Sequence, residues 1–466
     1  MVKAVSTANV QTIQRRRGRA APAGRPQKEP IMPNVLLTTR CNLSCKYCFA
    51  QEKLTGQRMH MPLENVREVI AFLKRSQYPI FRVMGGEPTL HPQFTEILRM
   101  ALDEGMRVDV LSNATWSEGV GEFFSRISPT RLLFLLNIDH PDNYAAKIWG
   151  RIERNLERLQ GRQGITLSFN VFEKEPRSDY ILEIARRYGF KNIRLSLSLP
   201  VYQSENAFLP IEELPAVAPF VMRFSEQAEA MGISVQFDNA VPLCIFSEEQ
   251  AGKLLLHGVL DLKRNMHCEP IIDIGPDLTT WSCFCLSGLA NRSLREFQTL
   301  DQAKEHFYNV WSVYQGAVYP MEKCSTCAYR EKWGCQGGCL TYTIAKDGGR
   351  RYEQMQAGAA GCALDPQAGL ALADGVTLLH YDIPCETYLL RSAAMGIDFE
   401  LNESLQPLLP LLDGTRTAGE LARAFAGGGN GSSATQAFLQ GVAAESLPAM
   451  FTSLLQQGFL KQIPKS

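Results

Sequence analysis

From Asn34 onward the chain alternates between two hydrophobic periods. Short runs dense in aliphatic and β-branched residues, NVLLT (34–38), IFRVM (80–84), RVDVLS (107–112), RLLFLLNI (131–138), ITLSFNVF (165–172) and NIRLSLSL (192–199), read as strands. Between them, apolar residues return every three or four positions, most clearly in PLENVREVIAFLKR (62–75) and QFTEILRMALDEG (93–105). That spacing gives a helix one apolar face. Six βα units in succession predict an α/β fold with parallel strands joined by crossover helices, a partial (βα)6 barrel or a full one. In such a barrel the functional groups gather at the C-terminal ends of the strands.

The alternation stops after Phe237, and the segment 241–365 is poor in long apolar runs but rich in cysteine. A region of that kind is expected to need bound metal to hold its fold. Beyond Pro366, GVTLLHY (375–381), ETYLLRS (386–392) and IDFEL (397–401) read as three short strands. Helical patterns follow at Glu403–Leu412, Thr417–Phe425 and Leu447–Gln457, with the loop GGGNGSS at 427–433. Residues 1–31 are basic, Pro/Gly/Ala-rich and without periodicity, and predict a disordered tail. The expected divisions are 1–31, 32–240, 241–365 and 366–466.

Charge narrows the partners. Lys plus Arg and Asp plus Glu both number 48 in 466 residues, so no overall field favours nucleic acid or an anionic membrane. No apolar run reaches the roughly 20 residues of a spanning helix, and the N-terminal segment lacks the core of a secretory signal, so a cytoplasmic protein is expected. The 13 cysteines, gathered into motifs in a reducing compartment, then read as metal ligands and not as disulfides.

Three of them, Cys41, Cys45 and Cys48, crowd the stretch TTRCNLSCKYCFAQE directly after the first strand. An iron-sulfur cubane takes one thiolate per iron, so three cysteines leave one iron open for a substrate or cosubstrate. A three-cysteine zinc site completed elsewhere is the alternative, with His60 the nearest candidate. The second strand ends in VMGGEPTLHP, where Gly85 and Gly86 permit close backbone approach and Glu87 offers a carboxylate suited to an ammonium.

Cys41-x3-Cys45-x2-Cys48, with Tyr47 before the last cysteine and Gly85-Gly86-Glu87-Pro88 after the next strand, resembles the signature of the radical S-adenosylmethionine (radical SAM) superfamily. The resemblance implies a 4Fe-4S cluster on the three cysteines and S-adenosylmethionine chelating its open iron. It also implies reduction by a donor such as flavodoxin or ferredoxin, and a 5'-deoxyadenosyl radical that abstracts hydrogen. By the same resemblance Tyr47, the GGE motif, Ser112, Asn113, Asn137, Asp139 and Asn170 contact the methionine and ribose.

A second series, Cys324-x2-Cys327-x7-Cys335-x3-Cys339 and then Cys362, suits a zinc ribbon on spacing alone. With Cys268-x14-Cys283 upstream, it resembles the SPASM extension of radical enzymes, which binds auxiliary 4Fe-4S clusters. That resemblance implies one cluster on Cys268, Cys283 and Cys339 and another on Cys324, Cys327, Cys335 and Cys362. Two features depart from it: Leu278 stands where relatives have glycine, and the gap from Cys327 to Cys335 is long. Cys285 has three roles open to it, as a fourth ligand, a catalytic hydrogen-atom donor or a buried thiol. Cys244 and Cys385 stand alone and read as small apolar residues, while His91, Asp273 and Asp277 read as turn and cap residues sooner than as acids or bases.

Residues 376–463, with LLPLLDGTRTAGELARAF, resemble the small winged-helix fold that recognises leader peptides, although DGTRT also suits a helix N-cap. The expected function is a radical SAM enzyme that modifies a peptide bearing a leader segment, by crosslinking or side-chain oxidation. Small-molecule oxidation or sulfatase-type maturation on the same scaffold is one alternative. A zinc-containing partner-binding module is the other.

Overall fold

The computed structural model describes residues 33–50 and 59–350 apart from 263, 264, 266, 267, 313, 315–318 and 334, and beyond 350 only 369–372, 376–381, 387–392, 397–401, 412–417, 420, 421, 451 and 460–463. The expected tail at 1–31, Cys362, Cys385 and most of the three C-terminal helical patterns lie outside those residues.

All six expected strands are present, as β1 (Asn34–Thr38), β2 (Ile80–Gly85), β3 (Arg107–Ser112), β4 (Leu132–Asn137), β5 (Ile165–Val171) and β6 (Asn192–Leu197). They pair in parallel in sequence order, and a seventh, β7 (Ser234–Phe237), pairs with β6. The sequence reading missed β7 because SVQF is short and two of its four residues are exposed. Long helices cross between the strands and bury one stripe each. Leu63–Arg75 does so with Val66, Val69, Ile70 and Leu73, at the three- and four-residue spacing of a helix face. Each such side chain contributes about 1.5–3 kcal/mol through removal from water.

The sheet does not end at β1. β8 (Ile272–Ile274) pairs in parallel with β1, and β9 (Thr279–Ser282) and β10 (Arg292–Ser293) extend it antiparallel, giving the order β10-β9-β8-β1-β2-β3-β4-β5-β6-β7. The cysteine-rich segment thus contributes three strands to the barrel sheet. Asp273 lies inside β8, not in a turn as the sequence reading has it, and is fully buried. Asn34 Nδ2 donates to its Oδ1 at 2.7 Å across the β1–β8 pairing. Asp277 does occupy the β8–β9 turn, accepting from Thr279 N at 3.0 Å. His91 is buried, with Nε2 3.0 Å from Met61 O and Nδ1 accepting from Gln93 N, a turn role as expected.

Toward the C-terminus, β12 (Val376–Tyr381), β13 (Thr387–Ser392) and β14 (Ile397–Leu401) form an antiparallel meander where three strands were expected. A second small sheet places β11 (Gly369–Leu372) between β15 (Asp413–Thr417) and β16 (Leu460–Ile463). DGTRT is therefore a strand whose last residue also caps a helix. Glu420 N donates to Thr417 Oγ1 at 3.3 Å, and Thr417 N donates to Glu420 Oε2 at 2.7 Å. Among the described residues no helix is long and apolar enough to cross a membrane.

Burial pushes the Asp273 carboxyl up to about 8, against the pull of the Asn34 amide and the Arg82 charge. The folded carboxyl keeps its proton where the unfolded one has lost it, so its contribution to stability is full at acidic pH and is lost as pH rises through about 8. Asp273→Asn removes this dependence. Its thermal midpoint, compared with that of the parent from pH 6 to pH 8 under anaerobic conditions, is expected to gain steadily. A difference that stays constant across that range contradicts the buried, protonated carboxyl.

Candidate functional site

The chain leaves the sheet at the C-terminal end of β1, carries the three clustered cysteines, and returns beside its point of departure. Thr39 N donates to Met59 O at 3.0 Å, Met61 N donates to Leu37 O at 2.8 Å, and Thr38 forms a single antiparallel bridge with His60. The base of the cysteine loop is thereby closed. His60, the sequence candidate for a fourth ligand, sets its ring edge-on against His91 at 5.2 Å. Within the loop Cys48 N donates to Cys45 O at 3.1 Å, and Lys46 O accepts from Ala207 N at 2.8 Å. Burial drives the Cys41 thiol up to about 11 and the Cys45 thiol up to about 12, and the negative charge of Cys48 adds to both. Burial also raises Cys48. Three thiolates so close and so desolvated repel one another, and a bound cation reverses that balance. The donor set fits a metal-sulfur group.

β2 ends against this loop. Gly86 N donates to Thr38 O and Glu87 N to Arg40 O, both at 2.9 Å. A Cβ on Gly85 would lie 2.6 Å from Thr38 O, and one on Gly86 would lie 2.4 Å from Arg40 O and 2.7 Å from Cys41 Cβ. Only glycine lets the loop seat this closely. Glu87 is wholly buried, and its carboxylate accepts from Thr89 N (3.2 Å), Thr89 Oγ1 (2.6 Å), Ser112 Oγ (2.8 Å) and Asn113 N (2.8 Å). Burial raises its pKa. These four donors come from the chain itself, so Glu87 ties the ends of β2 and β3 together. Pro88 opens a buried single turn, Pro88–Leu90, directly behind it.

The remaining sequence candidates surround the loop from successive strand ends. Asn113 Nδ2 donates to Asn42 Oδ1 at 3.1 Å, Asn42 Nδ2 to Thr115 Oγ1 at 2.9 Å, and Thr115 Oγ1 to Asn113 Oδ1 at 2.6 Å, a closed ring of polar contacts inside the rim. Asn137 Nδ2 donates to the Tyr47 hydroxyl at 3.2 Å, and Asn170 Nδ2 to Asn137 Oδ1 at 2.5 Å. The Tyr47 ring stacks on Phe172 at 5.2 Å. Asp139 accepts from His140 N at 2.8 Å, and its charge bears on Cys45 and Tyr47. Sequence reading missed Asn42 and Thr115, which carry no spacing signal; their role exists only because β3 lies beside the loop.

Residues 35–206 match the model of the radical SAM superfamily. This segment is a radical SAM domain. Among curated proteins the chain is similar to the GTP 3',8-cyclase of Listeria welshimeri, 30% identical over 142 residues covering 28% of this chain and 41% of that protein. It is also similar to the GTP 3',8-cyclase of Listeria monocytogenes, 29% identical over 199 residues covering 39% of this chain and 59% of that protein. The chain therefore spans about half the length of these relatives. Among solved structures, histidine-tagged anSMEcpe with bound AdoMet aligns with a TM-score of 0.50 at 16% identity, over 69% of this chain and 92% of that one. That likeness is one of fold. The domain match implies a 4Fe-4S cluster and S-adenosylmethionine as its cofactors.

Outside the radical SAM domain the other described cysteines fall into two groups. Cys268 Sγ lies 3.9 Å from Cys339 Sγ, which also accepts from Thr341 Oγ1 at 3.2 Å. The shared contact pushes the Cys268 thiol up, together with burial, and holds Cys339 down. Cys285, buried, donates to Cys283, which with burial raises its own thiol, and it feels the charge of Cys339. Cys283 and the missing-glycine position Leu278 both adopt left-handed backbone, φ +72° and +65°. Leu278 thus keeps a conformation that favours glycine, at a cost of about 1–2 kcal/mol to an L-residue, and is 1% exposed in the core. The second group is Cys324, Cys327 and Cys335, which line one cavity together with Cys244. Cys244 therefore does not stand alone, contrary to the sequence reading, while Cys362 lies outside the described residues. Among the described residues no three side chains converge as they would round a single metal ion.

Gly86→Ala sets a methyl group against backbone that has no room to yield. After anaerobic reconstitution this variant is expected to hold about four fewer irons per chain than the parent, the content of one cubane. Gly119→Ala, at a helix position with nothing within 4 Å, is the control and should keep the parental content. An unchanged iron content in Gly86→Ala would show that the loop does not need the close approach.

Proposed function

We propose that this protein is a peptide-modifying radical SAM enzyme, with a 4Fe-4S cluster on Cys41, Cys45 and Cys48 and auxiliary clusters on the downstream cysteines. The observation that carries the reading is the closed three-thiol loop on the C-terminal strand rim, seated on Gly85 and Gly86. When bound, the cluster and S-adenosylmethionine supply the electron transfer and the 5'-deoxyadenosyl radical that starts hydrogen abstraction. The chain supplies position. Glu87 locks the β2 and β3 ends, Asn113 holds the loop through Asn42, and Asn137 and Asn170 hold Tyr47. Ser112, Asn113, Asn137, Asp139 and Asn170 stand at the strand ends that a nucleoside and amino acid would meet. A donor of the flavodoxin or ferredoxin kind would provide the electrons.

For the first auxiliary cluster the reading takes Cys268, Cys283, Cys285 and Cys339. The contacts of Cys285 with Cys283 and its proximity to Cys339 favour the role of fourth ligand over that of hydrogen-atom donor, since a ligating thiolate has no hydrogen to give. Peptide specificity rests on residues 366–466. The order β12-β13-β14 leaves β12 and β14 at the edges of that sheet among the described residues, and an extended leader can add there as a further strand. The likeness to GTP 3',8-cyclases favours a second reading, a small-molecule reaction.

Replacing Cys41, Cys45 and Cys48 together by Ala is expected to abolish reductive cleavage of S-adenosylmethionine to 5'-deoxyadenosine under dithionite, while the auxiliary iron stays bound. Chromatographic detection of undiminished 5'-deoxyadenosine would refute the assignment.

Removal of residues 366–466 separates the peptide reading from the small-molecule one. Cleavage uncoupled from substrate needs only the barrel and is expected to persist. Modification of a precursor peptide should fall, because a docked leader raises the effective concentration of the core peptide to about the millimolar range. Mass-spectrometric turnover equal to that of the full chain would remove the case for leader binding.

A further inference from the structure

We infer that Cys244 is a ligand of the second auxiliary cluster, completing a four-thiolate set with Cys324, Cys327 and Cys335, and that Cys362 is not required. The inference rests on the auxiliary-cluster reading above and names a ligand that the cysteine spacing does not contain. Four cysteines line one cavity: Cys244 from the turn Leu243–Ile245, Cys324 from the turn Glu322–Thr326, and Cys327 and Cys335 from either end of the helical segment Ala328–Trp333. Their mutual approach appears in the electrostatics as well. The Cys324 thiol feels the charges of Cys244, Cys335 and Cys327, and the Cys244 thiol feels those of Cys335 and Cys327.

The backbone is built to bring these segments together. Gly337 and Gly338 both have left-handed φ, +83° and +87°. A Cβ on Gly338 would lie 2.6 Å from Pro242 Cδ, and one on Gly337 would lie 2.8 Å from the ring of Pro320. The double glycine thus lets the segment carrying Cys335 seat against the turn that carries Cys244. Gly337 N donates to Cys335 Sγ at 3.4 Å, the kind of N–H contact that supports a thiolate ligand. Lys323 hydrogen-bonds Cys244. A cluster ligated in this way would cross-link the turn after β7 to the loops carrying Cys324, Cys327 and Cys335, so that it braces β7 as well as those loops.

The test uses the full chain, reconstituted anaerobically with iron and sulfide. It is pulsed with iodoacetamide before unfolding, and modified cysteines are located by mass spectrometry, with the chelator-stripped chain as reference. Cys244 is expected to be modified in the stripped chain and protected in the loaded one, along with Cys324, Cys327 and Cys335, while Cys362 is modified in both. Protection of Cys362 by loading, or equal modification of Cys244 with and without iron, overturns the proposal. Cys244→Ser should lose about four irons per chain and the corresponding paramagnetic signal of the reduced protein, whereas Cys362→Ser keeps them. The reverse pattern overturns it. Failure of the auxiliary-cluster reading itself looks different: protection is then confined to Cys41, Cys45 and Cys48, and total iron stays near about four per chain.

Discussion

The contact on which the rest of the site depends is the seating of the cysteine loop on the end of β2. Two backbone hydrogen bonds, from Gly86 to Thr38 and from Glu87 to Arg40, hold the start of the loop against a strand end where no side chain could stand. Glu87 then turns inward and gathers donors from Thr89, Ser112 and Asn113. A buried carboxylate is costly unless its oxygens are satisfied, so β3 must end where these donors can reach it. Asn113, placed by that demand, reaches back to Asn42 inside the loop. Loop, β2 and β3 are therefore a single hydrogen-bonded unit, and the three thiols inherit its rigidity.

A second dependence runs through the other edge of β1. β8 completes β1's hydrogen bonding, and the Asn34–Asp273 pair buried between them joins the barrel to the cysteine-rich segment. The hairpin that follows carries Leu278 and Cys283 in left-handed backbone. Strain of this kind persists only where the surroundings over-determine it. For Leu278 the offset is burial of its side chain, worth about 1.5–3 kcal/mol. Leu278, where the resemblance led glycine to be expected, thus stands in backbone that glycine adopts more readily.

Much of this was legible before any coordinates. Six strands announced themselves by dense aliphatic runs, and the helices between them by apolar returns at three and four residues, because burial on both faces of a parallel sheet and on one face of a helix leaves those two patterns. The spacing of Cys41, Cys45 and Cys48 and the Gly-Gly-Glu turn were equally plain, since ligation and close approach restrict residue type locally. β7 was not legible, being too short and half exposed to repeat any pattern. Nor was Asp273, whose setting depends on a strand pairing with Asn34, 239 residues away along the chain.

The sequence by itself determined what is local: the period of each element, the presence of thiol clusters, and the glycines that admit them to a strand end. Only the tertiary structure decided which thiols share a site. Cys285 joins Cys283 and Cys339, and Cys244 joins Cys324, Cys327 and Cys335, because a turn after β7 and a hairpin beside β1 are brought to the same loops by sheet pairing. Thiol groups assembled across distant segments leave no spacing to read. Their members are chosen by which backbones can approach, and that is settled by packing of the whole sheet.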